Sequence, residues 1–387
     1  MRIRHRLLTT ISLAIAVAAA PLALLAAPVT QAGSTTTVPP VYTTTTYGLP
    51  APYNPTTGIV PPSTDNYHCS LIDPHLAQDV YVTRNRFIPD QVAEIHHAIL
   101  FLITGASQIA QAKTLDTNSS GNGWSCFGAP LSPTGSFDGT PWLGAWVPGH
   151  GATVVPSGTG ILMPAGSLIV MQIHYNLLAG STPDQSQVKL TTTPAAGSTL
   201  KPLSLYQLVA PPDLPCPTGV TGPLCNRAKS IADLDTRFGT QAGDFVNLLE
   251  TICNHNYSVL KPSTGQVGTK CTYIPGIQLP AAGGVIRAIT PHMHLLGMKA
   301  VVTLRRASGY TSTLLTVPYY NFDSQVTYNL ATPKVIHPGD SITIHCSYDP
   351  TLRQKLPQLK TLAPRYVTWG DGSSDEMCLD TLAMTAN

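Results

Sequence analysis

The sequence predicts an all-β protein: two β-sandwich, jelly-roll-like domains with a partly helical, disulfide-stapled insertion. Three observations predict it. Val, Ile, Thr, Leu, Gly and Pro dominate while charged residues make up only 11%, a balance that favours strands over amphipathic surface helices. Short apolar runs such as EIHHAILFLI and GSLIVMQIHYNLL have strand length and are bounded by Gly, Pro, Ser and Thr, the punctuation of turns. At 387 residues the chain is large for one domain and sufficient for two, each burying its own core.

Taken in order, residues 1–32 read as a secretory signal. Arg2, Arg4 and Arg6 form a basic start, an apolar stretch follows, and small residues close it near Ala32, which is the order a signal peptide needs. An uncleaved N-terminal anchor is the alternative, which Pro21, Thr9 and Thr10 disfavour. Residues 33–62 hold nine Thr and seven Pro and no charge, so they read as an extended linker with little to bury. Residues 63–205 read as the N-terminal β-sandwich. Residues 206–387 read as the C-terminal one, with GVIRAIT, HLLGMKAVVTL, STLLTVPYY and DSITIHCSY as its strands. Within it, about 211–275 form the insertion, where Phe245, Leu248, Leu249 and Ile252 fall on one helical face.

Eight cysteines in an exported chain imply disulfides. No pair has the Cys-x-x-Cys spacing of a zinc ribbon. Cys216, Cys225, Cys253 and Cys271 lie in the insertion and admit three pairings, Cys216–Cys225 with Cys253–Cys271 among them. Loss of the first 32 residues removes three arginines and no acids, leaving 19 basic against 20 acidic residues. Such a chain has no basic face for nucleic acid. No nucleic-acid partner and no stable membrane insertion are expected once the signal is gone.

The chemistry lies in the histidines. In PHMHLLGMK, His292 and His294 are two residues apart, so on a strand they project together with Met293 turned away. His96 and His97 are adjacent in one apolar run and His174 stands in another. Neighbouring strand residues face opposite ways, so His96 and His97 can share an ion only through a bulge, a strand end or different ring nitrogens. Alone, each motif is equally met by core histidines with their own polar partners. In WGDGSSDEMCLD, Met377 supplies a thioether, a poor ligand for zinc, magnesium or calcium and a good one for cuprous copper.

Together these motifs resemble the copper type II, ascorbate-dependent monooxygenases, whose members include peptidylglycine α-hydroxylating monooxygenase and dopamine β-monooxygenase. The His-His pair, QIHY, His-x-His followed by LLG, HPGDSITIHCSYD and DEMC stand in the family's order. The resemblance implies two coppers per chain, with ascorbate or a similar reductant as co-substrate. His96, His97 and His174 would hold an electron-donating copper; His292, His294 and Met377 would hold the copper that meets dioxygen. It further implies two β-sandwiches with the coppers facing across an open cleft, and the disulfides Cys69–Cys126 and Cys346–Cys378. Gln172, two residues before His174, is expected to stand behind the ligands in that cleft.

Three positions depart from the family. Thr381 stands where the named relatives carry a tyrosine, and Thr290 where the peptide enzyme carries an arginine that grips the substrate carboxylate. Leu379 replaces an asparagine that helps bind the peptide. Arg287 lies near Thr290, but an odd offset along a strand reverses its face. A peptidyl-glycine substrate is thereby disfavoured. The expected function is a secreted, extracytoplasmic dicopper monooxygenase that hydroxylates a substrate C–H bond. Its rivals are a non-catalytic copper carrier that kept the ligands and a zinc hydrolase built on the three-histidine site. His68, His75, His150, His255, His337 and His345 are expected to be structural or exposed.

Overall fold

The structure, a computed structural model, describes residues 41–56, 65–126, 128–131, 140–177 and 179–387. The signal read at 1–32 lies outside them. The first half contributes β1 (Thr43–Gly48), β2 (Asp65–Ile72), β3 (Val80–Ile88), β4 (Ile95–Ile103), β5 (Trp124–Ser125), β6 (Trp142–Trp146), β7 (Thr153–Val154), β8 (Thr159–Met163), β9 (Leu168–Asn176) and β10 (Gln187–Pro194), with α1 (Ala106–Asn118) after β4. Next come β11 (Lys201–Val209), β12 (Asp213–Leu214), α2 (Arg227–Phe238), α3 (Thr240–Cys253) and β13 (Val267–Tyr273). The remainder is β14 (Gly284–His292), β15 (Gly297–Arg305), β16 (Thr311–Val317), β17 (Tyr328–Ile336), β18 (Ser341–Tyr348), β19 (Val367–Thr368) and β20 (Leu379–Thr385).

The all-β, sandwich-like class expected from composition and run length is what the strands build. One long sheet runs β1-β10-β3-β8-β11-β20-β14-β17. Its first strands share a core with the sheet β5-β2-β9-β4-β6, where Val82, Val188 and Phe87 meet Leu100, Met171 and Ile173. Its last strands share a second core with the sheet β13-β18-β15-β16, where Ile286, Ile336 and Leu382 meet Val302, Ile344 and Tyr348. Each such side chain contributes about 1.5–3 kcal/mol through burial, so both halves have ample apolar content. Residues 40–387 form one compact unit. The boundary read at 205/206 falls inside β11, which pairs with β8 on one side and β20 on the other.

Three further expectations differ from what is seen. The stretch 33–62 carries β1, paired antiparallel with β10 from Thr43–Thr192 to Gly48–Gln187. Four consecutive threonines are β-branched and fit a pleated edge, and Tyr47 packs on the first core. In α3 the buried face is Gly243, Val246 and Leu249, whereas Leu248 is 49% and Ile252 40% exposed; the face that docks on the sheet lies one position round from the one hydrophobicity suggested. The strand read as HLLGMKAVVTL starts only at Gly297, because His294–Gly297 is a turn closed by Gly297 N–H to the His294 carbonyl at 3.2 Å. A Cβ on Gly297 would lie 2.7 Å from that of Met293, so this turn requires glycine.

Disulfides join Cys69 to Cys126, Cys216 to Cys225, Cys253 to Cys271 and Cys346 to Cys378. The last part of the insertion, β13, is a full partner of β18, so Cys253–Cys271 pins α3 to the second core.

One buried acid stands out. Along β20, Leu379 and Thr381 face a cavity described below, so Asp380 faces the second core with Leu382 and Met384. It is fully buried and neither carboxylate oxygen has a hydrogen-bond partner among the described residues. Burial pushes its carboxyl from 3.8 up to about 8, so the fold keeps the proton where the unfolded chain has released it. The acid is therefore harmless below pH 4 and costs progressively more as pH rises towards 8. Asp380→Asn is expected to raise the unfolding free energy more at pH 8 than at pH 5, by up to about 4 kcal/mol, read from urea unfolding at the two pH values. A gain independent of pH, or none, would contradict this placement.

Candidate metal centre

β9 sits between β4 and β2, with His97 opposite His174 on one side and Tyr67 opposite it on the other. The register of β4 against β9 shifts between Ile95 and His97. His96 is thus the extra residue of a bulge, the device that lets adjacent side chains turn to one side. Nδ1 of His96 lies 3.0 Å from Nδ1 of His97, which lies 3.4 Å from Nδ1 of His174. Two imidazole nitrogens sharing a metal at about 2.0 Å stand about 3.3 Å apart at tetrahedral angles. The three residues are buried and can together hold a metal ion.

His174 Nε2 meets Asp65 Oδ1 at 2.9 Å. The carboxylate accepts from Nε2–H, which leaves the Nδ1 lone pair aimed into the cluster. Tyr67 stacks on the His174 ring at 3.9 Å, fixing its plane. Burial, then the neighbouring imidazoles, hold His96 and His97 well below the usual histidine range, so both are neutral and able to ligate.

The second set gathers at the end of β14. His292 is its last residue and His294 lies in the turn beyond, with ring centroids 5.2 Å apart. Gln325 Nε2 donates to the Phe322 carbonyl at 2.9 Å, which turns Oε1 towards His292 Nδ1 at 2.6 Å. His294 Nδ1 donates to the Asp375 carbonyl at 3.2 Å. Both rings therefore keep the Nε2 lone pair free. The Nε2 atom of His294 is buried with no partner among the described residues, a deficit of about 1–3 kcal/mol that a metal ligand bond relieves. Burial and His292 lower His294 to about 3.

Met377 is placed by its neighbours. Glu376 accepts from the backbone N–H groups of His294 at 2.9 Å, Leu296 at 2.6 Å and Met377 at 3.2 Å, tying the His-x-His turn to the methionine. Tyr348 donates to the Met377 carbonyl at 2.8 Å, and the next residue is fixed by Cys346–Cys378. The Met377 side chain packs with Trp369, Leu379 and the Val246–Leu249 face of α3, and lines the same cavity as His97 and His292. From α2, Arg237 grips Asp375 through both terminal nitrogens at 2.8 Å each. The insertion thus buttresses the segment 375–377.

The resemblance implied two sites across an open cleft; here they adjoin. His96, His97, His174, His294 and Met377 are buried and His292 half-buried, and the rings of His96 and His294 are 5.6 Å apart, with Phe322 against both. The loop before Met377 bridges the halves: Tyr67 donates to the Asp371 carbonyl at 2.9 Å and Asn176 to Ser373 Oγ at 2.8 Å. Gln172 is buried, lines the cavity, and donates to Cys126 Sγ at 3.5 Å; it sits against the disulfide. Thr290, Leu379 and Thr381, the three departures, all line that cavity, whereas Arg287 falls in a bulge of β14 and donates to Thr385. Of the unassigned histidines, His150 lines the cavity and His68 is buried against Tyr53. Sequence reasoning missed Asp65, Tyr67, Gln325, Glu376 and Arg237, single polar residues with no spacing to announce them.

Residues 246–383 match the family model of the copper type II ascorbate-dependent monooxygenase C-terminal domain. That stretch contains His292, His294 and Met377; the three-histidine cluster precedes it. Similar solved structures include an allantoicase (9% identity, 83% of this chain and 78% of that chain, TM-score 0.21). The allantoicase of Saccharomyces cerevisiae gives 9%, 85%, 84% and 0.22, and the pro-11S globulin of pumpkin 11%, 84%, 78% and 0.16. Scores this low carry no argument. No helix among the described residues is long and apolar enough to cross a membrane, and four disulfides suit an oxidising compartment.

Proposed function

We propose that the chain is a secreted dicopper monooxygenase that hydroxylates a C–H bond of a small molecule with dioxygen and a one-electron reductant such as ascorbate. The observation that carries this reading is one cavity lined by residues of both ligand sets, His97 from the first and His292 with Met377 from the second. Copper bound there would supply one-electron redox chemistry and the activation of dioxygen, with the thioether favouring the reduced ion. His96, His97 and His174 would hold one copper in the part spanning 63–205; His292, His294 and Met377 would hold the other in 206–387.

The chain's own groups set the conditions. Asp65 and Gln325 hold the imidazole protons away from the metal side. Phe322 packs against the rings of both His96 and His294, where the two sets approach each other. The stoichiometry is one C–H bond oxidised, one oxygen atom inserted, and two reductant electrons with two protons converting the other atom to water.

A carrier without catalysis is the second reading, favoured by the loss of the family's substrate-binding residues at Thr290 and Leu379 and of its tyrosine near the active site at Thr381. Turnover under ¹⁸O₂ with copper, ascorbate and a panel of neutral arylalkyl compounds separates the two. The expected result is one ¹⁸O atom in an alcohol product for each dioxygen consumed. Oxygen uptake with no hydroxylated product from any compound favours the carrier, and zinc alone after copper-replete expression favours a hydrolase.

A further inference from the structure

The cavity beside the ligands has a volume of about 150 Å³. Its walls come from both halves: Trp142 and Trp146 on β6, Leu203 and Leu205 on β11, Ala288 on β14 and Ala383 on β20. Val154, 58% exposed, also lines it and marks a way to solvent. The polar groups near the ligands are neutral: Gln325, Thr381, and the paired hydroxyls of Thr290 and Thr327 at 2.8 Å. Among the described lining residues there is no lysine or arginine, and Asp371 is the one carboxylic acid.

A charged ligand here would surrender its hydration, with no lysine or arginine to meet an anion and only Asp371, whose carboxyl burial raises to about 7, to meet an amine, a cost of several kcal/mol. An apolar ligand gains instead, and apolar cavities of about this size take up benzene. We propose that the cavity binds an uncharged, largely apolar molecule, about one substituted aromatic ring in size, whose only polar group is a neutral hydroxyl or carbonyl facing Thr290, Thr327 or Thr381. This names the substrate class of the monooxygenase reading and rests on it only for what happens to the ligand afterwards. Thr290, Leu379 and Thr381 are then adaptations to a neutral substrate.

The test is calorimetric titration of the full chain, without reductant, with 2-phenylethanol, 2-phenylethylamine and phenylacetate, which differ mainly in charge. Copper-loaded and copper-free protein are compared, the second arm removing any direct ligation of amine or carboxylate to metal. The alcohol is expected to bind at least tenfold more tightly than either ion in the copper-free protein. Ala383→Leu, which fills the cavity, should weaken it at least fivefold; Ala145→Leu, on a half-buried wall position, does the same should the first variant not fold. Leu205→Lys should improve phenylacetate at least tenfold. Equal or tighter binding of an ion by the wild type, no binding of the alcohol, or binding indifferent to the folded wall variants overturns the proposal. Neutral-selective binding without any hydroxylated product would instead leave it standing and sink the monooxygenase reading.

Discussion

Arg237→Ala is expected to lower the unfolding free energy by about 3 kcal/mol and to loosen the methionine side of the second site. The arginine side chain is 10% exposed and Asp375 only 4%. Burial alone would raise the Asp375 carboxyl, but Arg237, with Arg365 and Arg353, holds it below its ordinary value. Removing one partner of such a pair leaves an undercompensated charge, which costs about 3–5 kcal/mol. Arg365, 3.4 Å from Asp375 and 2.8 Å from Asp233, retains part of the network, so the lower end applies. Arg237→Lys keeps the charge but not the two-pronged grip and should fall between. Because Asp375 precedes Glu376 and Met377, copper affinity at the His292–His294–Met377 set should fall at least tenfold, while the three-histidine set is unaffected. Urea unfolding and cuprous competition titrations check both; a variant as stable as wild type with unchanged copper affinity would contradict the buttress assigned to the insertion.

His97→Ala is expected to abolish one copper of two and reduce turnover by at least 1,000-fold. His97 Nδ1 lies 3.0 Å from that of His96 and 3.4 Å from that of His174, so its loss leaves two donors where three close the site. Even partners behind the ligands are worth about 10–100-fold in metal affinity, and a ligand should exceed that. The variant keeps the Cys69–Cys126 bridge, whose 57-residue separation contributes about 4 kcal/mol, so folding should survive. Metal analysis with turnover measurements decides the matter: full activity with one copper would remove the first set from the reaction.

The candidate donors were legible because each carries a pattern. His292 and His294 are offset by two, His96 and His97 by one, and a thioether adjoins a cysteine; the runs around His96, His97 and His174 already have strand length. The adjacency of His96 and His97 left a bulge, a strand end or different ring nitrogens open, and the register shift of β4 against β9 selects the bulge. What holds the donors was not legible. Asp65 and His174 are 109 residues apart, and Tyr67 and the Asp371 carbonyl 304 apart, so only the fold joins them. The closeness of the two sets was equally hidden, because it comes from the loop 371–377 crossing between the halves. β1 escaped because composition weighs Thr and Pro as linker residues, whereas an edge strand needs only backbone pairing and one anchor such as Tyr47. The misread face of α3 has a similar cause: Leu248 and Ile252 are apolar, but contact with Trp369 and Met377 selects Val246 and Leu249.

The most direct test of the two-centre account is the copper content of the wild-type chain after cuprous loading, joined to X-ray absorption of the same sample. Two coppers per chain are expected, with a sulfur scatterer that disappears in Met377→Ala while the nitrogen shell of the other copper persists. A single copper, no copper, or a sulfur signal unchanged in Met377→Ala would contradict it.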